Sequence, residues 1–548
     1  MIRKRTIGTL AALGGMTVAL ALLLGLPAAK ADEVTQLQTN PDVQNPELAK
    51  RLDQLAQVGL PKPQEPAGSV ATAGSFPRSI LIPGTDTSLL VGGQIELDAG
   101  YWFTGGNNNN ASAGSPIAGV PGLAGVPLSV PGNQARDRTN SIFNASVYAS
   151  RLHIETRTPT AYGQAQTVLE FDFLGCSLGG IDCNNTVAGN DGLGARLRLA
   201  YGTLGPFAVG QMYGPGTDLA ANPEALDLGC CAGTWGIGRL PQAVYTTEIW
   251  TPAGPASFQF SLYDPEDSAM TPQGQTLTNN TTLANVTLAG IPGLSQATTN
   301  QGLLSTLNGG SNQLIGTNPL KTSYPDPVAA LNWQQPWGHL NLKALVHQAA
   351  LVDGLHVNRQ YLGYGGGVSG DVKPGWFGWQ KDDITFTAFA GNGMGRYAGG
   401  GGSGTYFPYI ATNYGAPATA LGASVGNPLG YGHVGGATTA AAAAGVRAQT
   451  IPEYGAEISY QHWWAPTLRS TADFGVVHQD VNTALIGSFA NGGPTGVNKE
   501  LVNVHLNLIW SPVPFINTGF EYLWGHRQTV YNQKGDENIL EFATVVKF

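Results

Sequence analysis

The sequence predicts an all-β protein, a transmembrane antiparallel β-barrel of about sixteen strands, and three observations carry that prediction. Segments from Ile80 onward alternate apolar and polar residues with the two-residue period of a strand. Their connections fall into two sorts, short turns and long polar or Gly-rich loops, which is how a membrane barrel distributes its ends. Beyond the first thirty residues no stretch reaches eighteen consecutive apolar residues, so no helical span is available, and lipid leaves only a closed barrel to satisfy the backbone.

The chain opens with a basic Arg3-Lys4-Arg5, an apolar run over Ile7–Leu26 and a small-x-small site at Ala29-Lys30-Ala31. This pattern is that of a secretory signal peptide over 1–31, with a mature start at Asp32. Its removal leaves 23 basic against 36 acidic residues, a net charge of −13. An acidic chain without a basic run argues against a nucleic-acid partner. Residues 32–79 read as a periplasmic extension and linker. Leu48, Leu52 and Leu55 share one face of a short helix, and Leu60–Pro66 is extended. The barrel is assigned to 80–548.

The strands justify themselves one by one. Arg151–Arg157 sets Leu152, Ile154 and Thr156 against Arg151, His153, Glu155 and Arg157. Over Gln166–Phe173, Thr167, Leu169 and Phe171 oppose Gln166, Glu170 and Asp172; further on, Arg196 and Arg198 oppose Leu197, Leu199 and Tyr201. Asn341, Lys343 and His347 oppose Leu340, Leu342 and Val346, and Asn503, His505 and Asn507 oppose Val502, Val504 and Leu506. Asn517 and Glu521 oppose Phe520 and Tyr522. In the last segment, Leu540, Phe542, Thr544, Val546 and Phe548 oppose Glu541, Ala543, Val545 and Lys547, an amphipathic strand suited to closing a barrel. Tyr101, Trp102, Trp250, Trp463, Trp464, Trp510 and Trp524 are expected in interfacial girdles.

Short turns are expected at 158–163, 204–206, 252–255, 336–338, 465–466 and 511–514, and long loops at 104–140, 174–193, 214–238, 264–325, 392–450 and 480–497. The stretch 353–383 reads either as a strand pair or as an irregular excursion. A barrel of this width leaves an aqueous lumen unless loops fill it. The loop 214–238, with Asp218, Glu224 and Asp227, is the candidate constriction loop, a surface loop being the alternative. Cys176, Cys183, Cys230 and Cys231 fit an oxidising compartment and disulfide bonds; their spacing chooses no connectivity and has no zinc pattern.

Polar faces collect cations at Arg151, Arg157, Arg196, Arg198, Arg239, Lys343 and Arg527, the candidate pore-lining residues. Guanidinium binds carboxylate in bidentate fashion and stays charged. Such groups either pair with Glu155, Glu170, Asp172 and Glu521 to brace the wall, or select anions in the channel. No His-x-x-x-His pair and no Gly-x-Ser-x-Gly elbow appear, so no catalytic residue, metal site or cofactor is assigned and an enzyme is not expected.

Several ordered stretches resemble the DcaP-type trimeric outer-membrane porins: Pro83–Leu89 with Gly92-Gly93 and Leu97-Asp98-Ala99; Arg151-Leu152 with Thr158-Pro159-Thr160; Glu170–Phe173; Leu197-Arg198 with Ala200-Tyr201-Gly202 and Leu204-Gly205-Pro206; Pro223-Glu224 with Leu226-Asp227; Arg239 with Pro241-Gln242 and Tyr245; and Gly519–Tyr522 with Gly525 and Arg527. The resemblance implies a homotrimer of sixteen-stranded barrels in the bacterial outer membrane, an N-terminal helical extension in the periplasm, and passive uptake of small anionic solutes such as dicarboxylates. The chain departs from the family's pattern in its short N-terminal helix, in the Cys230-Cys231 pair, and in Ala243-Val244, where the family has an apolar residue followed by a basic one. A surface adhesin whose loops are the functional part, and an outer-membrane hydrolase, are the alternative readings.

Overall fold

The computed structural model describes residues 72–105, 141–147, 149–173, 195–226, 232–235, 239–265, 268–270, 276–278, 320–352, 357–398, 410–412, 446–486 and 498–548. The signal peptide, most of the 32–79 extension, Asp227 and all four cysteines lie outside the described residues.

Sixteen antiparallel strands form one sheet that closes on itself. They are β1 (Ser88–Thr104), β2 (Arg151–Thr160), β3 (Gly163–Asp172), β4 (Arg196–Leu204), β5 (Phe207–Met212), β6 (Leu240–Thr251), β7 (Gly254–Tyr263) and β8 (Asp326–Gln335). The second half comprises β9 (Gly338–Val352), β10 (Asn358–Val372), β11 (Asp383–Asn392), β12 (Pro452–Ala465), β13 (Leu468–Gln479), β14 (Asn498–Val513), β15 (Ile516–Thr529) and β16 (Lys534–Lys547). β16 pairs with β1 from Asn538↔Thr104 to Lys547↔Gln94. Beyond it, Phe548 N–H donates to Gly93 O at 3.0 Å and Gly93 N–H returns to Phe548 O at 3.2 Å, so the ladder is satisfied to the last residue. Closure leaves no free edge, as a bilayer requires. No helix among the described residues is long and apolar enough to cross a membrane.

The two-residue period sorts the faces. Val91, Ile95, Leu152, Leu169, Val209, Ile458, Phe474, Leu506 and Phe520 stand outward and exposed, while Glu96, His153, Glu170, Asn341, His505 and Glu521 face inward and are buried. Six connections at one rim have two residues each, after β2, β4, β6, β8, β12 and β14; the seventh, 373–382, has ten. The stretch 353–383 thus resolves into the strand β10, paired on both sides with β9 and β11, and this longer turn.

The long loops leave from the opposite rim. There Ser268–Met270, Thr276–Thr278, Ile410–Thr412 and Ala448–Thr450 make a separate four-stranded sheet. At the turn-side rim Thr72–Ala73 pairs with Ile80–Leu81, which pairs with the start of β1.

Three face assignments need correction. A register shift between β3 and β4 pairs Glu170 with Leu199 and Phe171 with Leu197, so Arg198 is the extra residue of a bulge. Beyond the bulge the faces invert: Leu199 and Tyr201 turn inward with Arg198 instead of opposing it. They join a buried cluster with Val168, Met212 and Val244. Trp102 also faces inward, buried against Leu523 and Ile539. Trp463 lies on the inner face beside Arg469, whose guanidinium stacks over it at 5.1 Å. Trp250, Trp464 and Trp510 are exposed at the turn-side rim as a girdle requires.

Candidate functional site

β5 has only six residues and ends at Met212, paired with Leu240 at the start of β6. The wall is therefore low at this hairpin, and the connection 213–239 leaves from partway up the barrel. Its described residues, 213–226 and 232–235, reach into the lumen. Asp218 accepts hydrogen bonds from His339 Nε2 of β9 at 2.9 Å and from Ser369 Oγ of β10 at 2.6 Å. His339 Nδ1 meets Asp371, so both imidazole nitrogens point at carboxylates, the geometry of an imidazolium donating from each. Lys343 Nζ donates to Gly216 O at 3.4 Å and sits 5.5 Å over the Trp235 ring.

The loop then crosses to the far strands. Glu224 forms a two-pronged ion pair with Arg469 of β13 and accepts from Gln461 of β12 at 2.6 Å. Asn507 of β14 donates to Glu224 O at 2.7 Å, Leu226 N–H to Glu521 of β15 at 2.8 Å, and Ala232 N–H to Asn503 of β14 at 3.0 Å. Outside the strands, electrostatics favours the charged forms. Against the cost of burial, His339 and Lys343 hold Asp218 well below the ordinary carboxylate range. Against the same cost, Arg469 and Gln461 hold Glu224 below it.

The wall is shaped for this loop. A side chain at Gly367 of β10 would overlap the Trp235 ring, and one at Gly475 of β13 would overlap Ala232 O. Gly365 and Gly391 do the same for Met394, from the start of the 393–398 connection, which also turns inward. Trp235, Ala232, Met394, Tyr397 and Ala398 pack with Leu345, Phe389, Val477 and Leu501 of the wall into one buried apolar cluster inside the barrel. Bare backbone is what lets two loops approach the wall this closely.

The β1–β5 side is different. Arg196 and Asp172 form a two-pronged pair, and Arg198 donates to Glu170 at 2.7 Å and Asp172 at 2.8 Å. Arg157 donates to Glu155 at 2.6 Å and stacks on Phe76 at 4.3 Å. Arg527 donates to Asn498 at 2.6 Å. Among the described residues neither Arg151 nor Arg239 is hydrogen-bonded to a carboxylate. Arg151 keeps a buried Nε without a partner. Arg239 donates to the Tyr213 hydroxyl at 2.9 Å. Burial first, and then Arg198, Arg196 and Arg151 against the help of Tyr213, pull Arg239 down to about 10, still a cation at neutral pH. Arg151, Arg196, Arg198 and Arg239 are thus close enough to feel one another; Arg151 also lies in the field of Glu96 and Glu170, but among the described residues neither it nor Arg239 has a direct carboxylate partner.

Lys343 belongs to the loop's docking, apart from this group. Sequence reasoning missed His339, Ser369 and Arg469 as partners of the loop, Asp371 as the second acid on His339, and Trp235 as the loop's own apolar anchor. The alternating Gly363, Gly365 and Gly367 on the inner face of β10 were the available signal. Each of the seven described histidines, from His153 to His526, sits against a carboxylate. No group of three or more His, Cys, Asp or Glu among the described residues is arranged to hold a metal ion.

No protein-family model matches the sequence, and no curated protein does. Solved structures do match. The outer membrane channel DcaP of Acinetobacter baumannii superposes with a TM-score of 0.54 at 16% identity, over 87% of this chain and 100% of that one. OprB of Pseudomonas putida gives 0.42 at 9% identity, over 84% and 94%, and an anion-selective porin from Comamonas acidovorans gives 0.41 at 9%, over 84% and 100%. At 16% identity the DcaP likeness speaks for architecture: this chain has the fold of an outer-membrane channel barrel.

Proposed function

We propose that the protein is a DcaP-type channel of the bacterial outer membrane that passes small hydrophilic anions, dicarboxylates among them, by diffusion. On this reading three copies assemble, the turn-side rim and the 32–79 extension face the periplasm, the long loops face outward, and membrane lipids surround the trimer. The observation that carries the reading is the pair Arg151 and Arg239. Both are cations in the lumen that make no hydrogen bond to a carboxylate among the described residues, whereas Arg157, Arg196 and Arg198 are each ion-paired. A cation already paired braces the wall; an unpaired one presents its field to a passing ion. The loop 213–239, with Asp218 and Glu224 pinned to the far side, sets the constriction that brings solutes past these two.

The test is ion selectivity in planar bilayers under a salt gradient. R151Q/R239Q should lose anion-over-cation preference and slow dicarboxylate uptake, while R157Q should keep both. A reversal potential unchanged in R151Q/R239Q would remove the selectivity role and leave the barrel standing. Hydrolysis of phospholipid or peptide by the purified protein would overturn the channel reading itself.

A further inference from the structure

A second segment enters the barrel from the rim of the long loops. It is the start of the connection after β11, Gly393–Ala398, and its Met394, Tyr397 and Ala398 are wholly buried. Two ties hold it to the wall. Met394 N–H donates to Glu453 of β12 at 3.2 Å. Tyr397 Oη donates to Asp326 of β8, and the same carboxylate oxygen meets His347 Nδ1 of β9 at 2.7 Å. The segment thus reaches from β12 back to β8 along the inner face.

It lies one step outward of the constriction loop. On β10, Gly365 is bare for Met394, and Gly367, two residues on, is bare for Trp235; two residues of strand span ~7 Å. The same order recurs on β11, where Met394 covers Gly391 and Trp235 stands edge-on to Phe389 at 6.2 Å. Adjacent imprints on two strands therefore set Met394 against the outward side of Trp235, in one apolar cluster. Tyr397 reaches the loop's first limb as well. Its ring packs edge-on to Tyr263 of β7 at 6.3 Å and 89°, and Tyr263 Oη accepts from Gly216 N–H at 3.2 Å. A side chain at Gly214 would overlap that hydroxyl. The limb Gly214-Pro215-Gly216 has no polar side chain, so backbone groups tie it down, its Gly216 N–H to Tyr263 and its Gly216 O to Lys343.

We propose, on the channel reading above, that Tyr397 is a positioning residue of the pore: it fixes the constriction loop at Gly216 through the Tyr263 ring, while Met394 caps Trp235. Pore width is then set by two stacked segments, one from each of two loops. Tyr397 and Tyr263 are both 0% exposed. Neither ring meets a passing ion, so any effect on conduction passes through what the ring holds. Edge-to-face packing is directional, which suits a contact that must keep one hydroxyl aimed at one N–H.

The experiment records single-channel conductance of the full-length protein in planar bilayers, with the heat-modifiable mobility shift showing that each barrel is closed. Tyr397→Ala should raise conductance, as Trp235→Ala does. The double variant should fall short of the sum of the two increments, because residues acting on one element are not additive. Tyr397→Phe keeps the ring against Tyr263 and should stay at the wild-type level. Wild-type conductance in Tyr397→Ala, increments that add in full, or a Tyr397→Phe channel as wide as Tyr397→Ala would each overturn the positioning role. Should Tyr397→Ala fail to fold, Tyr263→Phe carries the test. It removes only the oxygen that takes the Gly216 N–H, and it should bring brief openings to a wider level; a record as quiet as wild type would overturn the route through Tyr263. Absence of conductance in the wild type itself would overturn the channel reading and this role with it, whereas the other outcomes leave the channel standing.

Discussion

The two halves of the lumen wall solve opposite problems with the same alternating strands. On β1–β5 the inward positions carry large charged side chains that fill space themselves: Arg157 is locked to Glu155, and Arg196 and Arg198 to Asp172 and Glu170. On β9–β13 several inward positions carry nothing. Gly365, Gly367 and Gly475 are blank because Met394, Trp235 and Ala232 arrive from loops to cover them. The alternation alone says which way a side chain points. What it points at is written in residue size: a run of inward glycines is the imprint of a loop, and a run of inward arginines that of a wall left to stabilise itself.

The largest expected effect falls on the charged half. Arg198 lies between Glu170 and Asp172, all three nearly inaccessible. Replacing it by Met leaves buried carboxylates short of a partner, a loss of about 3–5 kcal/mol by the usual cost of breaking a buried pair. The heat-modifiable mobility shift of the barrel should move to a markedly lower temperature. A wild-type transition would mean that Arg196 alone neutralises Asp172, and that the bulge at Arg198 serves the apolar cluster rather than the ion pairs.

The glycine half breaks differently. Gly475→Leu or Gly367→Leu drives a side chain into Ala232 or Trp235. Overpacking of this kind costs about 1–3 kcal/mol, and the loop can avoid it by leaving the wall. Single-channel conductance should therefore rise with the barrel intact, and Trp235→Ala should raise it without any overpacking. Unchanged conductance in both would mean that 232–235 does not limit the pore, and the contrast between the halves would lose its functional side. A smaller effect is expected of Asp218→Asn. It keeps the shape but weakens the bond to His339, by about 1–2 kcal/mol as for other charge-assisted bonds. Brief conductance fluctuations should appear where the wild type is quiet.

The same contrast marks what the sequence makes legible. Strand faces, the two kinds of connection and the closing strand all follow from period and from Gly and Pro placement, because each is a local property. The bulge at Arg198 is not local: one extra residue, visible only against the register of β3, turns Leu199 and Tyr201 inward and undoes the reading of that strand. Trp102 and Trp463 mislead for a related reason. Tryptophan near a strand end suits a lipid girdle, yet both occupy inward positions and pack in the lumen. The partners of Asp218 and Glu224 lie more than a hundred residues away, on β9, β10, β12 and β13. The sequence marks the loop's acids, and only the closed barrel brings them their bases.

Acidification gives the finest test, because it should loosen the loop's docking only late. Asp218 and Glu224 are both held below their ordinary values, the first by His339 and Lys343, the second by Arg469, in each case against the cost of burial. A carboxylate with a depressed folded-state value contributes stability that is fully present above its unfolded value, about 4 for Asp and Glu, and lost as pH falls through the lower folded value. The loop should therefore stay docked from pH 8 down to about 5 and loosen only below about 4. His339 does not advance that point, since both its nitrogens already face carboxylates and acid leaves it a donor to each. The measurement is conductance noise against pH, in wild type and in Asp218→Asn. Wild type should be flat to about pH 5 and noisy below about 4, while the variant is noisier throughout with a weaker pH dependence. Noise that set in near pH 6 and was unaltered by Asp218→Asn would place the controlling group elsewhere, among the other His–carboxylate pairs, and would detach the loop's stability from Asp218 and Glu224.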